Sequence, residues 1–107
     1  MDKVIENGKV AVLFSPGYGS GWSTWNDHPA ILFDPAVVEY VQADGKMMDR
    51  DDMIKYLEDT YPGIYLGSGF DDLEIAWIPQ GTRFKITEYD GYESVQVEHE
   101  IETWYVA

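Results

Sequence analysis

Lys9-Val10-Ala11-Val12-Leu13-Phe14-Ser15-Pro16-Gly17-Tyr18-Gly19-Ser20-Gly21-Trp22-Ser23-Thr24-Trp25 begins as a strand and becomes a loop. Residues 9–14 form a short continuous apolar run bounded by Gly8 and Pro16, which predicts a strand buried on both faces. Residues 15–25 then place three alternating glycines, two tryptophans, a tyrosine and four hydroxyls together. Ordering such a loop costs backbone entropy and leaves aromatic surface to cover, so a ligand or the protein's own core must offset it.

Outward from this stretch the chain reads in order. Asn26-Asp27-His28-Pro29 is turn chemistry. Asp34-Pro35 is a helix start, a capping carboxylate followed by proline at the first helical position. That helix is expected from about Pro35 to Ala43, with Val37, Val38 and Val41 as its apolar face and Asp44-Gly45 as its stop. A second helix starts at Asp49, with Asp51 and Asp52 where the dipole favours anions, and ends at Tyr61-Pro62-Gly63. Met53, Ile54 and Leu57 face inward.

The last third reads as β. Leu73, Ile75 and Trp77 alternate with polar or small neighbours before the turn Pro79-Gln80-Gly81. A second strand runs from Thr82 to Tyr89. Asp90-Gly91 is a two-residue hairpin signal, and a third strand runs from Tyr92 to about Tyr105. There Val95, Val97 and Ile101 share one side with His99, while Gln96, Glu98, Glu100 and Glu102 share the other. The expected architecture is a single α+β domain over residues 1–107. Its mostly antiparallel sheet combines the N-terminal strand with a C-terminal three-stranded meander, and two helices lie on one face. The first strand can pair with the meander in either direction.

Composition narrows the function classes. The 107 residues carry 20 acidic and seven basic side chains, a net charge of −13, and no cysteine. Thiol catalysis, disulfide scaffolds and thiolate metal sites are thereby excluded. Nucleic acid and anionic membrane repel such a surface, whereas a protein with a basic patch attracts it. No apolar run approaches the roughly 18 residues of a membrane helix. The N-terminal residues show neither the basic region nor the cleavage site of a signal peptide, so no signal peptide is expected, and the lack of cysteine is compatible with a reducing cytoplasm.

The glycine loop invites a phosphate-binding reading, but two details oppose it. Trp22 stands where the dinucleotide fingerprint needs its third glycine, and no Gly-Lys-Ser or Gly-Lys-Thr occurs. No basic residue lies between Lys9 and Lys46, so an anion there would rely on backbone N–H groups alone. Three readings of the loop remain. Its tryptophans close the core, or they wall a pocket for a flat ligand with hydroxyls supplying hydrogen bonds, or they anchor a protein partner. The binding candidates are Ser15, Tyr18, Ser20, Trp22, Ser23, Thr24 and Trp25.

Catalytic and metal constellations are faint. Ser23, His28 and Asp34 lack the nucleophile-elbow context of a serine triad. Asp49, Asp51 and Asp52 read as partners of a helix dipole, Asp71, Asp72 and Glu74 as solvated, and His99 as a strand histidine. None has the spacing of a metal site. No metal, cofactor or catalytic residue is assigned. Glu98, Glu100 and Glu102 stand about 6.8 Å apart by strand rise, close to the spacing of successive phosphates along one nucleic-acid strand. They are candidates for an acidic face that occupies a basic groove.

The loop Ser15-Pro16-Gly17-Tyr18-Gly19-Ser20-Gly21-Trp22-Ser23-Thr24-Trp25, with Glu88-Tyr89-Asp90-Gly91-Tyr92-Glu93-Ser94 and the Phe33-Asp34-Pro35 helix start, resembles small acidic proteins of tailed bacteriophages and prophages. The resemblance implies the cytoplasm of an infected cell and a role in inhibiting or redirecting a host protein, including defence factors. It carries over no catalytic residues. Two functions follow as expectations. The first is a non-enzymatic phage accessory protein whose acidic surface engages a basic patch on a host protein, a defence or nucleic-acid-handling factor. The second is a sponge-like binder of a nucleotide or other small flat ligand at residues 15–25. Exposed aromatics would also suit a homodimer.

Overall fold

The computed structural model describes residues 3–19, 21–44, 46–66 and 69–98. The elements in order are β1 (Ile5–Glu6), β2 (Lys9–Phe14), a 3-10 turn (Pro29–Leu32), α1 (Pro35–Gln42), α2 (Arg50–Thr60), β3 (Glu74–Pro79), β4 (Phe84–Tyr89) and β5 (Tyr92–Val97). The class is α+β, all strand pairing is antiparallel, and two α-helices are present among the described residues.

The strands divide between two sheets. β1-β2-β3 forms one and β4-β5 the other, so the expected three-stranded meander is split after its first strand. β3 pairs with β2 along its whole length, from Lys9 opposite Pro79 to Phe14 opposite Glu74. Apolarity explains the choice. β2 is buried on both faces, and its best neighbour is the other strand rich in large apolar side chains, with Ile78 opposite Val10 and Ala76 opposite Val12. The 79–82 turn then leads the chain away. Gln80 N–H bonds to the Gly8 carbonyl and Thr82 N–H to that of Pro79.

Both hairpins use the same turn chemistry. Asn7-Gly8 and Asp90-Gly91 have positive φ at both residues, which a type I′ turn requires. They set Glu6 opposite Lys9 and Tyr89 opposite Tyr92. The Asn7-Gly8 hairpin and its short first strand add to the sequence reading.

α1 starts as expected. The Asp34 carboxylate accepts the N–H groups of Ala36 and Val37 at 2.9 and 3.2 Å, with Pro35 opening the helix. α2 begins one residue after Asp49. Ala11 and Leu13, two residues apart on β2, share one face and form a single core with Val37 and Val38 of α1 and Met53 and Leu57 of α2. Both helices therefore cover the same side of the main sheet. Trp22, Ile31, Tyr61, Phe70 and Leu73 complete that core.

Candidate functional site

The loop after β2 does not fold over empty space. It folds around a carboxylate that the hairpin supplies. Glu93 of β5 is fully buried. Its Oε1 accepts the Ser15 N–H at 3.0 Å, and its Oε2 accepts the N–H groups of Trp22 and Thr24 at 2.9 and 3.0 Å together with the Thr24 hydroxyl at 2.5 Å. A buried carboxylate is costly unless donors surround it, and here four converge on it. Three are backbone donors, so the loop does form an anion nest. Its anion is the protein's own side chain.

Backbone bonds close the joint. Glu93 N–H donates to the Ser15 carbonyl at 2.9 Å, Gly19 N–H to Asp90 at 2.6 Å, and Gly21 N–H to Gly91 at 2.9 Å. A two-stranded hairpin is marginal alone, and these bonds fasten its tip to the body of the protein. Glu88 adds a brace, with its Oε1 accepting the Gly91 N–H at 2.5 Å and the Trp25 indole N–H at 3.2 Å.

The two loop tryptophans have opposite fates. Trp22 is fully buried and donates its indole N–H to the Ile31 carbonyl at 3.0 Å. It is a core residue, not a wall of a binding pocket. Trp25 is 39% exposed. Its ring lies on Gly21, where a Cβ would come within 2.3 Å of the indole and φ is +63°. The Tyr65 ring stands 5.7 Å from Trp25. Asn26 holds this side in place, donating to the Trp22 and Tyr65 carbonyls and accepting the Tyr65 N–H at 2.7 Å.

Tyr18 is the most exposed aromatic of the loop. Its ring centroid lies 5.1 Å from that of Tyr92 and 6.4 Å from that of Tyr89. Beside them is a shallow cleft of about 200 Å³ lined by Tyr18, Thr87, Glu88, Tyr89, Tyr92 and Ser94. Seven large hydrophobic side chains are exposed among the described residues, and five are aromatic: Tyr18, Trp25, Tyr65, Tyr89 and Tyr92. All five flank the joint between loop and hairpin.

The other candidates are placed as follows. Ser15 is buried, and its hydroxyl has no hydrogen-bond partner among the described residues. Ser23 is half-buried and its carbonyl accepts the Asn26 N–H. Ser20, Glu100, Glu102 and His99 lie outside the described residues. Glu98 sits just past β5 in an exposed ion pair with Arg83 at 3.2 Å. Asp71, read as solvated, is held by both nitrogens of a fork from Arg50, at 2.8 and 2.9 Å.

Ser23, His28 and Asp34 are not joined by any hydrogen bond. Asp34 is taken up by its helix cap and by the phenols of Tyr56 and Tyr61, at 2.8 and 2.5 Å. His28 Nε2 is 3.2 Å from the Pro62 carbonyl. Burial, followed by the hydrogen bond to Asp34, pushes the Tyr56 phenol up to about 12 and raises that of Tyr61 further. Among the described residues no group of three acidic or histidine side chains could hold a metal ion, and no helix is long and apolar enough to cross a membrane.

Protein-family models, curated proteins and solved structures contain no match to this chain.

Residues that sequence reasoning passed over do most of the positioning: Glu93, Glu88, Asn26, Tyr65, Tyr89 and Tyr92. Only the two tyrosines had a readable signal. They bracket Asp90-Gly91, and a two-residue turn sets such a pair opposite each other on one face.

Proposed function

We propose that this chain is a non-enzymatic interaction protein, an accessory protein of a phage or prophage that binds a host protein with a basic surface. The observation that carries the reading is five exposed aromatics in two groups at the loop–hairpin joint, Tyr18 with Tyr89 and Tyr92, and Trp25 with Tyr65. Tyr and Trp are the side chains that most often anchor protein interfaces. Here they stand on backbone already fixed by Glu93, Glu88 and Asn26, so little order need be gained on binding. A net charge of −13 steers the surface toward cationic partners.

The sponge-like reading has less behind it. Trp22 is spent in the core, and the cleft of about 200 Å³ falls below the roughly 300 Å³ at which small-molecule sites begin. Tryptophan fluorescence should stay flat across a nucleotide library.

The reading is tested by capture from bacterial lysate on the immobilised chain, eluted with rising salt. Between about 0.01 and 0.15 M the screening length falls from about 30 to about 8 Å, and a steered partner should elute across that range. The double variant Tyr18→Ala with Tyr89→Ala should retain less of it. Absence of any salt-sensitive, basic partner overturns the reading.

A further inference from the structure

We propose that the notch between Tyr18, Tyr89 and Tyr92 receives an arginine side chain of the partner. The inference deepens the reading above and rests on it. It names the group that the site grips.

Size is the first argument. A cleft of about 200 Å³ is small for a nucleotide-sized ligand and suited to one side chain. Ring geometry is the second. The Tyr18 ring meets that of Tyr92 at 49° and that of Tyr89 at 80°. The three rings therefore wall a notch and do not cover one another in a stack. A cation over a tyrosine face is attracted by the ring quadrupole. The guanidinium, planar and weakly hydrated, lies against such faces better than an ammonium does.

Charge is the third argument. Glu88 lines the cleft, and Asp90 stands exposed in the turn between Tyr89 and Tyr92, so two carboxylates lie at its edge. Lys85 shares the outward face with Thr87 and Tyr89, but it stands four residues from Tyr89, roughly 13 Å by strand rise. The chain uses ring–cation contacts elsewhere, with Lys3 over Phe33 at 4.5 Å and Arg50 over Phe70 at 5.5 Å. Among the described residues no cation of its own lies over the tyrosine trio. The notch is electronegative, aromatic and open to a cation from outside.

The hairpin tip is also held still. Gly19 N–H bonds to Asp90 and Gly21 N–H to Gly91, while Glu93 is fixed from below. Three rings on a fixed backbone can discriminate a planar cation, which a mobile loop would do poorly.

The experiment titrates the full chain, followed by backbone amide NMR, with a capped pentapeptide holding one arginine between glycines. The same peptide with lysine, and with the neutral isostere citrulline, serve as controls. The arginine peptide should shift the amides of Tyr18, Tyr89 and Tyr92 most, the lysine peptide less, and citrulline not at all. Tyr89→Leu should weaken arginine binding about two- to fivefold, the size of an exposed ring–cation contact, whereas Tyr89→Phe should preserve it. Tyr89 is 76% exposed, so both variants should keep the wild-type amide spectrum elsewhere. Equal shifts from arginine and citrulline overturn the notch, as do arginine shifts confined to the acid-rich helix α2. If Tyr89→Leu still captures a salt-sensitive basic partner undiminished, the notch is wrong and the broader reading stands. If arginine seats at the trio but no basic protein binds, the notch is right and the broader reading fails.

Discussion

Glu93 accepts the backbone N–H of Trp22 at 2.9 Å across 71 residues of chain. That bond and its three companions join the loop after β2 to the far hairpin. They also fix where both tryptophans go, Trp22 inward to Ile31 and Trp25 outward toward Tyr65. The aromatic surface proposed to bind a partner is thus shaped by a carboxylate that the partner never touches.

Truncating that carboxylate should be among the most damaging single changes in the chain. Glu93→Ala strands the N–H groups of Ser15 and Trp22 in a buried site, at roughly 1–3 kcal/mol for each group left unpaired, and frees that of Thr24 at its half-buried edge. We expect a loss of about 3 kcal/mol or more in urea denaturation. Glu93→Gln keeps one acceptor oxygen and turns an N–H₂ toward the remaining donors, so its loss should be intermediate. A Glu93→Ala midpoint matching wild type would show that the nest does not hold the loop.

Gly21 and Trp25 should behave as a coupled pair. Gly21→Ala meets two penalties, a left-handed φ of +63° and a Cβ driven into the Trp25 ring. The first is roughly 1 kcal/mol, and the second disappears once the ring is removed. In a Trp25→Ala background, Gly21→Ala should therefore cost only the backbone part. A double-mutant cycle measures the difference. Strict additivity would mean that Trp25 does not rest on Gly21.

How much of this was legible in the chain depends on the range of the interaction. Asp34-Pro35 and Asp90-Gly91 act within a few residues, and both form what they predict. Asn7-Gly8 carries the same local signal and forms a hairpin too. The partner of β3 was not legible, because strand alternation says which face is apolar and not which strand lies alongside. Glu93 shows the same limit more sharply. In sequence it is one carboxylate among 20 acidic side chains, on an alternating strand where an inward glutamate looks like a fault. Only the loop that arrives 69 to 78 residues earlier in the chain makes it a partner. The loop's lack of lysine or arginine argued against a bound phosphate, and it fits equally well a nest whose anion is built in.

With two of the four tryptophans removed as Trp77→Phe and Trp104→Phe, the remaining Trp22 and Trp25 should separate in fluorescence. The buried Trp22 contributes blue-shifted emission shielded from a soluble quencher such as iodide, and the half-exposed Trp25 contributes red-shifted, quenchable emission. Replacing each in turn with Phe should remove the corresponding component. Trp22→Ala should also cost about 3–5 kcal/mol, as large-to-small core changes do, against about 1 kcal/mol or less for Trp25→Ala. Equal quenching of both components would place Trp22 at the surface.

Alkaline pH should loosen the fold through Tyr56 and Tyr61. Each phenol is held neutral by burial and by the hydrogen bond its O–H donates to Asp34, so each titrates in the folded chain above its ordinary value near 10, Tyr56 at about 12. Between those values the unfolded chain has lost the phenolic proton and the folded chain has kept it. The folded state then binds more protons, and stability must fall as pH rises. The contribution is complete below about pH 10 and drains away toward pH 12. Urea midpoints measured at steps from pH 9 to pH 12 should decline over that interval. Tyr61→Phe should start from a lower stability, because its hydrogen bond to the buried Asp34 is gone, and should decline less steeply. Parallel slopes for wild type and Tyr61→Phe would show that Tyr61 titrates alike in both states and that its phenol is not buried against Asp34.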